Sequence, residues 1–291
     1  MILAHDPVAP GSVWLAWTFE PATVALIAAG AILYAVGRAR LRRRGARTTP
    51  ATTARAVGFY AGLAFLAMAL LSPVHALGET LFSAHMVQHL LLILLVAPLL
   101  VFGAPLVPVM VASPPVVRRG AIALRHGPML GGARRVLTHP LVVWALHALA
   151  LWSWHLPGLY RAALENPLLH VVEHASFLLT AIAFWALVIA TKPRRRLAQP
   201  AAILFVFTTA LHSGALGALL AFASRPLYPL HAHGARAWGL TPIADQQLAG
   251  LVMWVPPGAL YVVTMTVLLL GWLKEMERRH PTVAVGLGDR G

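Results

Sequence analysis

The sequence predicts an all-α membrane protein, a bundle of seven transmembrane helices, on three observations. The 291 residues are 59% hydrophobic and only 11% charged, whereas soluble domains carry about 25% charged residues. Apolar stretches long enough to cross about 30 Å of hydrocarbon recur seven times. Arginines lie in short clusters between these stretches. We therefore expect one membrane domain over residues 1–291, in contact with the lipid bilayer and without a separate soluble unit.

The seven predicted spans are joined by short connections. We place them near residues 20–38, 55–74, 82–111, 136–156, 167–191, 199–223 and 245–273. No basic residue precedes the first span and its arginines follow it, which is the reverse of a cleavable signal peptide. The longest connection, 112–135, is rich in Pro, Gly and Arg, as expected of a loop.

The basic residues also predict the orientation of the bundle. The segments after the first, third and fifth spans, together with the C-terminal tail, hold 20 of the 23 basic residues. The opposite side has only Arg161, Arg225 and Arg236. Since cytoplasmic loops carry the excess of Lys and Arg, we expect the N-terminus outside and the C-terminus in the cytoplasm of a bacterial inner membrane.

The charge and the cysteine content limit the partners and the metal ligands that the chain can use. A net charge of +14 could indicate nucleic acid as a partner. Because the charge is confined to loops between apolar runs, we assign it to membrane orientation and expect no nucleic acid. The chain has no cysteine, which excludes disulfides, thiolate zinc sites and iron–sulfur clusters. Any metal must bind to His, Met, Asp or Glu.

Fourteen histidines are present, and two pairs have helical spacing. His85 and His89 lie at the outer end of the third span, and His170 and His174 at the outer end of the fifth. Residues four apart lie on one helix face, so two imidazoles can share one metal ion. Ionisable groups inside a membrane are costly and usually functional. The structural alternative is that each imidazole hydrogen-bonds a neighbouring helix.

Other residues extend the predicted site. We expect His75, His212 and Asp245 nearby, with Asp245 attracting the cation or orienting an imidazole. Met86 and Met253 add thioether sulfur, although a buried methionine is more often core filler. Imidazole and thioether ligands favour copper over magnesium or calcium. The sequence therefore predicts a copper site open to the periplasm.

Four other functional classes can be assessed from the residues that each of them requires. A retinal protein needs a lysine inside a span. The two lysines, Lys192 and Lys274, lie at predicted cytoplasmic ends, which excludes a retinal protein. Haem binding or haem handling, through His147 and His212, stays open as a less favoured alternative. An intramembrane hydrolase using Ser213 and Asp245 also stays open. A copper permease would need polar groups that continue to the cytoplasmic face, and the inner halves of the spans are almost purely apolar.

Three polar stretches, in order, resemble the CtaG family of membrane cytochrome c oxidase assembly factors, which are associated with caa-type oxidases. They are HMVQHLLL at 85–92 with APLL at 97–100 and GAP at 103–105; WHLP at 154–157 through Tyr160 and His170 to EH at 173–174; and TPIADQQLAG at 241–250 with Met253 and Trp254. The resemblance spans roughly residues 55–273.

The resemblance implies a role in maturing the oxidase rather than an enzymatic activity. It implies the catalytic subunit of cytochrome c oxidase as a partner, together with a periplasmic copper chaperone as the donor. Copper is the expected cargo. Direct copper binding is our interpretation of the histidines rather than part of the resemblance.

Overall fold

The protein is described by a computed structural model over residues 8–189 and 196–279. His5, the basic residues within 192–195 and the tail beyond Arg279 lie outside the described residues. The described chain is helical, without a strand. Its α-helices are α1 Pro21–Arg43, α2 Pro50–Leu71, α3 Pro73–Thr80, α4 Phe82–Gly103, α5 Leu106–Ala112, α6 Pro115–His126, α7 Pro128–Leu137, α8 Pro140–Trp154, α9 Pro157–Glu165, α10 Pro167–Ile189, α11 Gln199–Ala221, α12 Ala232–Ala237 and α13 Pro242–Arg279.

Six of the described helices are long and apolar enough to cross a membrane, namely α1, α2, α4, α10, α11 and α13. The fourth predicted span, 136–156, is a shorter apolar helix of 15 residues, α8. At 1.5 Å per residue it is about 22 Å long. Prolines set its length, because Pro140 begins α8 and Pro157 begins α9, and the residue before a proline avoids the helical conformation.

Other helix ends also differ from the predicted ones. The third span was predicted to reach residue 111, but α4 ends at Gly103 because Ala104 is left-handed (φ 47°) and Pro105 follows it. α5 then packs beside α1, where the Arg40 guanidinium donates to the carbonyls of Val111 and Ala112. α1 runs on to Arg43, because basic side chains suit the last turn of a helix.

α4 contains a π-helical segment, Leu91–Val96, directly after His89. The Ala97 N–H donates to the Leu92 carbonyl, five residues back. In that register the Ile93 carbonyl faces Pro98, which has no N–H to donate. The indole Nε1 of Trp185, on α10, donates to that carbonyl at 2.9 Å instead. This hydrogen bond ties α4 to α10 just below the paired histidines, and π segments are frequent at functional sites.

α11 and α13 approach closely through two glycines. A Cβ on Gly250 would collide with the backbone nitrogen of Ala221, and one on Gly217 would lie 2.9 Å from the Gly250 carbonyl. Small residues of this kind let membrane helices pack backbone to backbone. The close packing fixes α13, whose N-terminal end reaches α4 through Asp245.

Candidate metal centre

A buried cluster of donor groups lies between α4 and α10. It consists of His85 and His89 on α4 and of Glu173 and His174 on α10, and one ligand atom from each lies within 4.8 Å of all the others. His85 and Glu173 are 0% exposed and His89 is 3% exposed. The helical spacing predicted from the sequence explains the paired histidines, and the structure adds the carboxylate.

The ligand atoms of this cluster have no hydrogen-bond partner among the described residues. This holds for Nε2 of His85, both ring nitrogens of His89, both carboxylate oxygens of Glu173 and Nε2 of His174. The Glu173 oxygens lie 3.9 Å from His85 Nε2 and 3.7 Å from His89 Nε2, which is too far for hydrogen bonds. Buried polar groups are nearly always satisfied, so this concentration of unpaired donors and acceptors needs a reason.

The ring of His85 is held with its lone pair toward the cluster. Its Nδ1 lies 3.2 Å from the carbonyl oxygen of Gly78, which can only accept a hydrogen bond. Nδ1 therefore carries the proton, and Nε2 is free to bind a cation. A metal-ligating histidine is usually oriented in this way, by a hydrogen bond from its other ring nitrogen.

The four donors fit a transition metal of small radius. Bonds of about 2.0–2.2 Å in a tetrahedral site hold neighbouring nitrogen and oxygen ligands about 3.4 Å apart. Closing on an ion would therefore draw the cluster atoms inward by about 1 Å. Side-chain rotation on two packed helices can supply a movement of that size. Imidazole and carboxylate donors in this number are of the kind that copper and zinc accept.

Two further histidines connect the cluster with the surface. His170 lies with its ring centroid 4.3 Å from that of His174 and 5.5 Å from that of His85, and its Nε2 is buried without a partner. His75, in α3, stacks on His170 at 5.9 Å and is partly exposed. Burial lowers the pKa of His75 despite the opposing effect of Glu79, so its ring stays neutral at pH 7. These rings form the outer side of the site.

Asp245 takes part in a different interaction from the predicted one. Its carboxylate accepts from the backbone N–H groups of Phe82, at 2.8 Å, and Ser83, at 3.1 Å, and from the Ser83 hydroxyl. It thus caps the N-terminus of α4 from α13, where a negative charge is favoured. Asp245 positions the helix that carries His85 and His89, and no hydrogen bond joins it to either imidazole in the described chain.

The remaining predicted residues are not among the four donors of the cluster. The ring of His212 faces Trp144 edge-on at 5.3 Å. Met253 packs in the apolar core and lines a small cavity with Leu90 and Leu94. Met86 is buried beside the cluster, with its sulfur 3.2 Å from Nε2 of His155.

The residues considered for haem binding and for hydrolysis have other partners in the structure. His147, considered with His212 for haem, lies near the middle of α8, and its Nδ1 is 3.0 Å from the Thr180 hydroxyl. Ser213, considered for hydrolysis, donates to the Thr209 carbonyl at 2.8 Å. Asp245 is engaged with α4, so no hydrogen bond joins it to Ser213 in the described chain.

An aromatic wall, which sequence reasoning missed, closes one side of the cluster. The Tyr160 hydroxyl donates to Nε2 of His231 at 2.7 Å, and the Tyr160 ring lies 5.3 Å from His85. Burial raises the pKa of Tyr160 well above its usual range, so the hydroxyl keeps its proton. Burial likewise lowers the pKa of His231, which therefore accepts as a neutral ring. The wall excludes water from this side.

Comparison with known proteins shows which family the chain resembles. Residues 32–275 match the family described as cytochrome c oxidase caa3 assembly factor (Caa3_CtaG). The chain belongs to this family. The match confirms the resemblance recognised in the sequence and covers all four cluster residues of this Caa3_CtaG chain.

Relatives of the Caa3_CtaG chain occur in mycobacteria. It is 27% identical over 281 residues to the uncharacterized proteins Mb0105 of Mycobacterium bovis and MT0111 of Mycobacterium tuberculosis. It is 25% identical over 275 residues to the uncharacterized protein ML1998 of Mycobacterium leprae. Each alignment covers 90% of this chain but only 40% of the relative. No solved structure matches the chain.

Proposed function

We propose that this Caa3_CtaG chain binds copper at the cluster of His85, His89, Glu173 and His174 and supplies it to cytochrome c oxidase during assembly. The observation that carries the proposal is the buried group of ligand atoms without hydrogen-bond partners. Membership of a family of oxidase assembly factors supports the destination of the metal. The role is that of a carrier and not of an enzyme.

Copper suits the donors better than other metals of the cell envelope. Imidazole ligands bind copper well, and copper forms the most stable complexes of the divalent first-row series. Magnesium and calcium would need mostly oxygen ligands, and the cluster offers one carboxylate. Because the chain has no cysteine, no thiolate holds the ion. Copper bound by imidazole and carboxylate can therefore pass to a better organised acceptor.

The partners follow from this role. The acceptor is the catalytic subunit of the oxidase, and the donor is a periplasmic copper chaperone. Both meet the chain at the end of the bundle where partly exposed His75 and His170 lead to the cluster. The chain spans about 40% of the length of the curated relatives that it matches.

We further propose that the chain crosses a bacterial inner membrane seven times, with the short helix α8 as the fourth crossing. The N-terminus is then periplasmic, the C-terminus cytoplasmic, and the cluster opens toward the periplasm. The asymmetry of the basic residues supports this arrangement, since Arg40, Arg42 and Arg43 end α1 and Arg278 and Arg279 end α13.

A topology experiment tests this orientation. A reporter fused after Arg290 should be active only in the cytoplasm, and one inserted near Ala232 only in the periplasm. The reason is that an odd number of crossings, with the basic loops inside, separates the two positions. Both reporters active on one side would contradict the seven-span arrangement.

Metal analysis of the purified chain tests the proposed cargo. Membranes from copper-supplemented cells should yield protein with close to one copper per chain or more, and zinc should compete for the same site. A haem protein would show a strong visible absorbance band instead. Protein that binds neither copper nor zinc in solution would contradict the proposed function.

A further inference from the structure

Beside the cluster, a thioether and an imidazole face each other inside the bundle. Met86 is 1% exposed and His155 is 6% exposed, and the sulfur lies 3.2 Å from the imidazole Nε2. Met86 is on α4 between the two cluster histidines, and His155 directly follows the last residue of α8. The proposed cluster does not use either side chain.

The proton on His155 can be assigned from its other ring nitrogen. Nδ1 lies 2.6 Å from the carbonyl oxygen of Leu151. A carbonyl only accepts, so Nδ1 carries the hydrogen. A neutral imidazole has a single N–H, and a thioether has none. Nε2 and the Met86 sulfur therefore point lone pairs at each other, with no hydrogen atom between them, and a cation would satisfy both.

The surroundings hold the two groups in this position. The Tyr228 hydroxyl donates to the backbone carbonyl of His155 at 2.6 Å. Phe177 packs against the imidazole, with 6.1 Å between the ring centroids. A methionine that only filled the core could turn its sulfur toward carbon instead. The pair is thus a prepared two-donor arrangement in an apolar setting.

We propose that Met86 and His155 form a second metal site, which takes copper(I) and excludes divalent ions. Thioether and imidazole together favour the soft monovalent ion. A divalent ion would bring twice the charge into apolar surroundings that offer no carboxylate to this pair, and it would prefer the cluster with Glu173. The proposal rests on the proposed function only in taking copper as the cargo.

The position of the pair makes it the inner end of a row of imidazoles. Ring centroids lie 5.9 Å apart for His75 and His170, 4.3 Å for His170 and His174, 5.2 Å for His174 and His89, and 6.3 Å for His89 and His155. Copper(I) that enters at partly exposed His75 can therefore reach the sulfur in short steps. The pair would retain copper(I) after the cluster has filled.

Anaerobic titration of the full-length chain with copper(I), against a chromophoric competing chelator, tests the second site. The wild type should bind two copper(I) ions, and Met86→Leu, which keeps the side-chain volume, should bind one. X-ray absorption at copper should show sulfur scattering in the wild type and none in Met86→Leu. Met253→Leu removes another buried thioether and should behave as the wild type. Zinc binding should be unchanged in both variants.

The outcomes separate this site from the cluster. If Met86→Leu keeps both ions and the sulfur signal, the second site is wrong and another thioether binds the ion. In Glu173→Gln, zinc binding should fall while the sulfur signal remains. A wild type that shows the sulfur signal but fails to bind zinc would contradict the cluster and still support the pair. Unchanged tryptophan fluorescence and elution volume would establish that each variant is folded.

Discussion

Replacing Glu173 with glutamine is expected to weaken zinc or divalent copper binding by about 100-fold or more, which corresponds to roughly 2.7 kcal/mol. The substitution keeps the size of the side chain and removes the single carboxylate of the cluster. A glutamine amide binds these ions far less well than a carboxylate does. The measurement is a competition titration of the purified chain with a chelator of known affinity.

The stability of the same variant should change in the opposite sense when metal is absent. A buried carboxylate without a hydrogen-bond partner destabilises the folded chain, so Glu173→Gln should unfold at the same temperature as the wild type or higher. Added zinc should raise the unfolding midpoint of the wild type, because a ligand that binds only the folded state stabilises it. The variant should show little of this rise.

Glu165→Gln is the matched control. Glu165 lies one helix earlier, is exposed, and pairs with Arg161 at 2.8 Å on the surface. Such an exposed pair contributes less than about 1 kcal/mol, so the control should keep wild-type metal affinity. If Glu173→Gln lowers stability without metal and leaves metal affinity unchanged, Glu173 has a structural role and the cluster is misassigned.

Helix spacing made three of the four cluster residues predictable from the sequence. His85 and His89, like His170 and His174, are four apart, so each pair had to share a helix face. What spacing could not supply was the rotation of α4 relative to α10. That rotation brings Glu173 to the centre of the cluster and leaves His170 on its outer side. The available signal was a carboxylate next to His174 inside an otherwise apolar span.

Two other residues predicted near the site have different contacts in the structure. His212 was expected near the paired histidines, and its ring faces Trp144. Asp245 was expected to attract the cation or to orient an imidazole, and its carboxylate instead accepts from the N–H groups at the start of α4. Free helix ends compete for carboxylates, and no pattern in the chain shows which end a carboxylate will cap.

The helical class and most of the span positions could be predicted, because a long apolar run in lipid has to satisfy its backbone internally. The ends depended on local chemistry that hydropathy ignores. Pro140 and Pro157 limit α8 to 15 residues. Ala104, left-handed before Pro105, ends α4. Within the π segment the Ile93 carbonyl lacks the N–H that Pro98 cannot supply, and the Trp185 indole donates to it instead. Hydropathy cannot predict this hydrogen bond, because the two residues are far apart in sequence.

A strain that lacks the gene for this chain is expected to make the oxidase polypeptides but to contain little copper-loaded, active enzyme. A carrier delivers its cargo and leaves, so the acceptor site in the oxidase stays intact. Excess external copper should then restore part of the activity by mass action. The measurements are oxidase activity, the amount of the oxidase polypeptides and the copper content of the purified oxidase.

Complementation of that strain connects the phenotype to the cluster. The wild-type gene and the Glu165→Gln allele should restore activity, whereas the Glu173→Gln allele should restore little at low copper and more at high copper. A weakened site fills only when the free ion concentration approaches its raised dissociation constant. Equal complementation by the two alleles would show that the chain assists the oxidase without using the cluster.

Cytoplasmic copper separates the assembly factor from a permease in the same strain. Beyond the cluster, Ile93, Phe184 and Trp185 of the described core offer no metal ligand, and the imidazole of His147 stacks on Phe184 with 5.6 Å between the ring centroids. Crossing that layer as a charged ion would be costly. Cytoplasmic copper should therefore be the same with and without the chain. A deletion strain with a fully active oxidase and altered cytoplasmic copper would instead establish transport across the membrane, and the histidines would then be the entrance of a pathway.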